Sequence, residues 1–377
     1  VVHVITDAGP HPYFRTLIES PGFDRESVIV GCVGPAGPLQ RDMREIGVGT
    51  FALGARHRRQ YPAAVVRLAR WLRQKNASVL QSHLVDGSLV GLAAARAARV
   101  PLVVFTAHHS HELPFHGPKL IRVDRLCAGV LSDLIIAPSA QVRDTLVELA
   151  GAPARKIAVI HHGFDLAALD PSRVNGDAVR SELGLGERLV LAAVGRLYDL
   201  KNHAGLLRAF AGVFGATSEA RLVITGPGDP SELHGLARQL GIQEQVIITG
   251  PRQDIPAVLA ASDVFVHPAL AESFGMVIIE AMALATPIVS TPVGIAPEVI
   301  IDGVNGVLCR GLDDDALAEG LRSVLALRPR WPALGLAARE RVSGFSAETM
   351  AHAYAELYAA GLGAGVSQAA RSRRWRS

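Results

Sequence analysis

Two carboxylates eight positions apart, Glu272 and Glu280 in ESFGMVIIEAMA, bracket a strongly apolar stretch of this 377-residue chain. Glu280 follows Met276, Val277, Ile278 and Ile279 and precedes Ala281, Met282 and Ala283. An ionised acid in such company needs a partner, and the next Lys or Arg downstream is Arg310. Either an arginine from a distant segment pairs with it, or the acid accepts hydrogen bonds from a ligand, two of them from a vicinal diol such as a ribose. Ser273 can cap a helix that starts at Phe274 or Gly275. Glu272 then stands just before the helix N-terminus and Glu280 about one and a half turns inside it.

A second group of residues suits an anion. In GRLYDLKNHAGLLRAF, Gly195 permits a tight exit from a strand, and Arg196 and Lys201 flank a helix beginning near Asn202. A guanidinium, an ammonium and a helix N-terminus together make a diphosphate or sulfate site; the alternative is a solvated loop with two surface cations. Gly226 in TGPGDP lets the backbone approach a ligand closely, though a plain turn would also use it. The run VVFTAHHSHELPFHG holds His108, His109, His111 and His116. No Cys or acid cluster matches these histidines in a ligating pattern, so no metal site is expected. His83, which ends SVLQSH, is a further strand-end histidine.

The elements that must position these residues alternate regularly. Short β-branched runs at 1–6, 27–31, 77–83, 101–108, 133–139 and 157–163 read as buried strands, with helices such as 63–74, 87–99 and 140–150 between them. A turn-rich stretch over 165–187 interrupts the pattern, which restarts with strands at 188–196, 221–226, 245–250, 264–268, 287–291 and 306–310. This alternation predicts an α/β protein of two Rossmann-like domains with parallel sheets facing across a cleft. Ligands of such sheets bind beyond the carboxyl ends of the strands, where the residues above fall. The expected boundaries are 1–168 for the first domain and 169–346 for the second, which the resemblance described below makes the acceptor-side and the donor domain. A closing helix over 347–362 should pack back on the first domain, and 363–377 should be a basic mobile tail.

Composition agrees with a folded protein: 49% of residues are hydrophobic and only 19% charged, which excludes a disordered chain. Three scattered cysteines without a CxxC pair argue for a reducing cytoplasm and against a disulfide framework. No apolar run reaches membrane-spanning length. Residues 1–170 hold 19 Lys+Arg against 14 Asp+Glu, whereas 171–360 hold 15 against 21. The first half therefore suits an anionic partner, but it lacks the dense basic stripe of a nucleic-acid binder. The segment 57–75 carries Arg67, Arg70, Arg73 and Trp71 beside a core face of Val65, Leu68, Ala69 and Leu72. It reads as a helix packed on its sheet with a solvated basic side; the alternative is a face that meets anionic membrane from the cytoplasm.

Taken in order, GRLYDLKN, TGPGD, HPALAESFGMVIIEAMALATPIVST and TPVGIAPEVIIDGVNGVLC resemble the retaining GT-B glycosyltransferases of family 4, whose E-x7-E signature matches Glu272 and Glu280. The resemblance covers essentially the whole chain and is dense over 188–310. It implies that Arg196 and Lys201 neutralise the diphosphate of a nucleotide-sugar donor, that Glu280 holds the ribose, and that Glu272 contacts the transferred sugar. The backbone of Ser273, Phe274 and Gly275 would touch sugar and phosphates, and Gly250, Pro251 and Arg252 would lie beside the base. FTAHH matches the family's T-x-H segment, which would put His108 near the anomeric carbon with Thr106 behind it. Strand alternation sends His108 and His109 to opposite sides, so which one points inward stays open. His83, His109 and Gly9 fall on the acceptor side, but Gly9 is followed by Pro10, His11 and Pro12 where relatives have a Gly-Gly loop. The implied activity is transfer of a sugar, from a UDP-sugar in the first instance, to an alcohol, with no cofactor and no metal. A nucleotide-sugar epimerase and a non-catalytic nucleotide-sugar binder are the rival readings. The binder should have lost Arg196, Lys201 or one of the two acids, and this chain keeps all four.

Overall fold

The computed structural model describes residues 1–9, 11–21, 23–108, 115, 118–215 and 219–374. The chain divides into two compact units, Val1–Phe164 with Ser346–Ser377, and Asp165–Phe345.

The first unit is built on a seven-stranded sheet of β1 (Val2–Ile5), β2 (Ile29–Cys32), β3 (Gly49–Ala52), β4 (Val79–His83), β5 (Leu102–Thr106), β6 (Leu134–Ala137) and β7 (Ile157–Val159). All pairs are parallel, in the order β3-β2-β1-β4-β5-β6-β7. Strands β1, β4 and β5 are buried along their whole length; β5 is apolar up to Thr106, whereas β1 buries His3 and β4 buries Gln81, Ser82 and His83. β3 is the strand that the sequence does not announce. It is a four-residue edge strand, exposed at both ends, and has no apolar run to reveal it. The helix Val85–Ala98 lies hard against β1, because a side chain at Gly87 would stand 2.8 Å from the Ile5 carbonyl carbon. The helix Tyr61–Gln74 buries Ala64, Leu68, Ala69 and Leu72. Its Trp71 turns onto Phe51 at 4.8 Å, and Arg67 and Arg73 donate to the carbonyls of Leu53 and Ala97.

The second unit carries a six-stranded parallel sheet of β8 (Val190–Val194), β9 (Arg221–Thr225), β10 (Val246–Gly250), β11 (Val264–His267), β12 (Ile288–Ser290) and β13 (Val307–Leu308), in the order β10-β9-β8-β11-β12-β13. The turn-rich stretch before it belongs to this unit. Leu169, Val179 and Leu185 are buried, and a side chain at Gly176 would fall 2.4 Å from the Ala261 nitrogen.

At Ser346 the chain rejoins the first unit, where Ala347 N–H donates to Phe164 O at 3.0 Å. The helix Ala347–Arg374 follows, and Met350, Tyr354 and Tyr358, one turn apart, bury against Leu102, Val104 and Ile136. This helix runs well beyond Leu362, into the segment read as a mobile tail. That segment lacks apolar periodicity, but its Ala, Gln and Arg residues are good helix formers and no proline interrupts them. Among the described residues no helix is long and apolar enough to cross a membrane.

Candidate functional site

In the second sheet the strand order reverses between β8 and β11, so successive helices leave on opposite faces and a crevice opens beyond the carboxyl ends of these two strands. The loop after β8 carries Gly195, Arg196 and Lys201, and the loop after β11 carries Glu272 to Gly275. Asn202 joins them. It adopts a left-handed conformation at φ 53°, its side chain accepts from Gly205 N–H at 3.2 Å to cap the helix His203–Phe214, and its amide donates to Pro268 O at 3.2 Å.

Lys201 Nζ donates to Glu272 Oε2, and both side chains are largely buried. Glu272 Oε1 accepts from Ser273 N–H at 3.2 Å. His267, the last residue of β11, has its Nε2 3.8 Å from the same Glu272 oxygen. Burial first, and then the Lys201 charge, hold this imidazole down at about 4 against the opposing pull of Glu272, so it is neutral at pH 7. Arg196 is exposed, lies 5.9 Å from the Tyr198 ring, and has no ion pair among the described residues.

Glycines bring these backbones together. Gly226 has φ 158°, and a side chain there would meet Gly195 O at 1.9 Å. Gly195 N–H donates to Thr225 O at 2.9 Å and Gly226 N–H to Gly250 O at 3.0 Å, so the ends of β8, β9 and β10 form one bonded ledge. The stem of Lys201 lies along Gly195. A side chain at Gly294 (φ 60°) would stand 2.5 Å from Phe274 O and 3.0 Å from Glu272 Cγ. The TPVG turn therefore buttresses the Glu272 loop at its closest approach.

The helix that holds the second carboxylate is Met276–Ala283, and its N-cap is Gly275 at φ 90°. Ser273 does not cap it, contrary to the sequence expectation. The left-handed turn at Gly275 moves the helix start to Met276, so Gly275 and not Ser273 occupies the N-cap position. Glu280 is half-buried and its carboxyl has no hydrogen-bond or ion-pair partner among the described residues, so no arginine among them answers it. Burial alone pushes its carboxyl up to about 7.

Arg252, in the segment that the resemblance puts beside the base, is held by two acids. Its guanidinium grips Glu182 at 2.7 and 2.9 Å and Asp254 at 2.8 and 2.7 Å. These bonds use four of its five N–H donors and raise its pKa further.

The first sheet reverses between β1 and β4, and histidines gather there. His83, the last residue of β4, is wholly buried, with His3 of β1 at 3.0 Å on one side and His108, two residues past β5, at 3.0 Å on the other. His83 therefore backs this site and does not line it. Leu84, the next residue, sits at φ 60°, ψ 170°, a region that only glycine occupies without strain. Tyr13 packs against His83, His108 and His162 at 5.8, 5.6 and 5.2 Å, and its hydroxyl donates to Tyr354 Oη at 2.6 Å. Gly9 follows β1 in a tight turn, its N–H donating to Asp7 Oδ1 at 2.8 Å. His109, His111 and His116 lie outside the described residues. Among the described residues no group of three or more His, Cys, Asp or Glu side chains could hold a metal ion.

Sequence reasoning assigned no role to His267, Asn202, Gly294, His3 or Tyr13. His3 had left a signal, a polar residue in the otherwise apolar VVHVI.

Comparison with known proteins agrees with both units. Residues 2–168 match the family described as Glycosyltransferase Family 4, and residues 177–341 match the one described as Glycosyl transferases group 1. A D-inositol 3-phosphate glycosyltransferase of Actinosynnema mirum is 34% identical over 298 residues, covering 71% of this chain and 70% of that protein. One of the same name from Nocardia farcinica is 36% identical over 61% of this chain, and the chain spans only about half, 53%, of its length. Among solved structures, Anabaena HepE in complex with UDP and glucose superposes with a TM-score of 0.83, covering 95% of this chain and 99% of that one at 24% identity.

Proposed function

The chain belongs to glycosyltransferase family 4 and has the GT-B architecture, and from that premise we propose that it transfers a sugar from a UDP-sugar to an alcohol with retention of anomeric configuration and without a metal. The observation that carries this reading is Glu280: a half-buried carboxyl with no protein partner, on the helix that follows the Lys201–Glu272 pair. Such an acid is suited to the two hydroxyls of a ribose, whose hydrogen bonds favour its ionised form.

Arg196 and Lys201 stabilise the diphosphate as it leaves, a role that a divalent cation fills elsewhere. Glu272 holds the Lys201 ammonium in place and faces the transferred sugar. Gly195, Gly226 and the backbone of Ser273, Phe274 and Gly275 allow phosphates and sugar to approach the main chain closely. The Pro251 segment serves the base through its backbone. In the first unit, His108 hydrogen-bonds a substrate oxygen. The bond from the anomeric carbon to the phosphate oxygen breaks as the bond to the acceptor oxygen forms. The acceptor proton passes to the departing diphosphate, so no protein base is required.

UDP as donor nucleotide is supported by the complexes of the structural neighbour, and a phosphorylated polyol is the first acceptor to test in view of the relatives' names. The deciding experiment is a thermal-shift and turnover screen of UDP-, GDP- and ADP-sugars. UDP should raise the melting temperature by mass action; no response to any nucleoside diphosphate would remove the reading.

A further inference from the structure

His267, at the end of β11, is almost wholly buried, and its Nε2 has no hydrogen-bond partner. A buried polar nitrogen left unpaired is costly and calls for a reason. The main chain here is pinned: His267 O accepts from Thr291 N–H at 3.0 Å and from Thr291 Oγ1 at 3.2 Å, and His267 pairs with Ser290 of β12. Phe265, stacked 6.2 Å away, offers no oxygen. Glu272 Oε2 does. It lies 3.8 Å from Nε2, about 1 Å beyond a hydrogen bond, and Lys201 Nζ donates to it.

The three groups differ in freedom. His267 is fixed by its strand, and the Glu272 loop is buttressed at Gly294, where a side chain would stand 3.0 Å from Glu272 Cγ. Lys201 carries its charge at the end of a flexible four-carbon stem, so a diphosphate competes with Glu272 for that ammonium. The two charges act on the His267 ring in opposite senses. Burial, the larger influence, keeps the ring neutral; Lys201 disfavours a proton on it and Glu272 favours one. In a neutral ring the Nε2–H tautomer turns a proton toward the Glu272 oxygen, whereas a bare Nε2 would set lone pair against lone pair. As an anion draws Lys201 aside, the repulsion lessens and the attraction of Glu272 stays.

We propose that His267 is a positioning residue whose Nε2–H takes the Glu272 oxygen when a diphosphate draws Lys201 from it, so that the carboxylate stays anchored while the ammonium serves the phosphates. Only hydrogen bonds are exchanged: Glu272 stays ionised, His267 stays neutral, and no proton changes owner. The diphosphate rests on the glycosyl-transfer reading; the exchange of Lys201 for His267 on Glu272 does not.

The test is long-range proton–nitrogen correlation of the 15N-labelled full chain at neutral pH, titrated with UDP, beside Lys201→Ala without ligand. His267 should show a protonated Nε2 throughout, and that proton should move downfield both on saturation with UDP and in Lys201→Ala. His267→Phe keeps a ring and removes the donor. UDP should then bind about tenfold more weakly, the effect of one hydrogen bond, because nothing replaces Lys201 on the oxygen it leaves. His267→Gln returns an amide N–H near the position of Nε2 and should recover that affinity, which a merely structural role would not do. A bare Nε2 in the parent overturns the proposal, since His267 would then be an acceptor. So does an unmoved proton in Lys201→Ala, or in the parent once UDP is bound. Absence of UDP binding by the parent would count against the glycosyl-transfer reading and leave Lys201→Ala to decide. Should Lys201→Ala fail to fold, the parent spectra decide.

Discussion

Lys201 donates to Glu272 across β8 and β11, the two adjacent strands at which the order of the second sheet reverses. The pair joins the cation expected at the leaving diphosphate to the acid expected at the transferred sugar. Neither group is free to wander: Gly195 lies along the lysine stem, and Gly294 admits the Glu272 loop at van der Waals distance.

This pairing predicts the cost of breaking it. Lys201→Ala should weaken UDP binding by about 10- to 100-fold, the effect of one charge-assisted hydrogen bond. It should also destabilise the fold by about 2 kcal/mol, because Glu272 is left largely buried without its cation. Lys201→Ala with Glu272→Ala should recover part of that stability while binding stays weak. Urea denaturation and UDP titration calorimetry measure the two effects, and simple additivity of the stability losses would contradict the coupling.

Glu280 sets a pH dependence. Its carboxyl titrates at about 7 in the folded protein against an ordinary 4.5, a difference on the order of 3 kcal/mol at 1.36 kcal/mol per unit. The raised value means that its contribution to stability is fully present below about pH 4.5, declines as pH climbs through 7, and is flat above. Glu280→Gln should therefore be more stable than the parent above pH 7, with the advantage gone by about pH 4.5, while binding UDP more weakly at every pH.

The same carboxyl should release a proton when a ribose binds, because the diol favours the charged form. Calorimetry of UDP binding near pH 6.5 in buffers of different ionisation enthalpy should show net proton release in the parent and less in Glu280→Gln. Equal release in both would separate Glu280 from the nucleotide.

Gly226→Ala tests the backbone ledge. The added carbon would stand 1.9 Å from Gly195 O, so β8 and β9 must part at the end that carries Arg196 and Lys201. A stability loss of about 2 kcal/mol or more is expected, together with loss of UDP binding. Wild-type affinity in a folded variant would show that the ledge is not used.

Sugar transfer should persist in excess EDTA, because Arg196 and Lys201 supply the positive charge that a metal would otherwise bring. Activity lost to chelator and restored by one divalent cation would overturn the metal-free mechanism.

Much of the architecture was legible because its signals are local. Buried parallel strands announce themselves as apolar runs, and twelve of the thirteen were found; β3, a short exposed edge strand, carries no such run. The helical course of 363–374 was hidden for the converse reason, since helix propensity without an apolar stripe reads as a tail. Glu280 was legible as an anomaly, an acid among apolar residues, but that its carboxyl has no partner among the described residues could be seen only in the tertiary structure.

The sequence by itself determined the alternation of strands and helices, the two-unit division, and the candidate residues Arg196, Lys201, Glu272 and Glu280, because composition, period and spacing are properties of short stretches; between His108 and His109 it left the choice open. Tertiary structure alone decided which of them meet. It paired Lys201 with Glu272, gave Arg252 to Glu182 and Asp254, and drew His3, His83 and His108 into one file although 105 positions separate the ends. Hydrogen bonds and desolvation act over a few ångströms, and only the order of the strands in each sheet determines which distant residues come within that range.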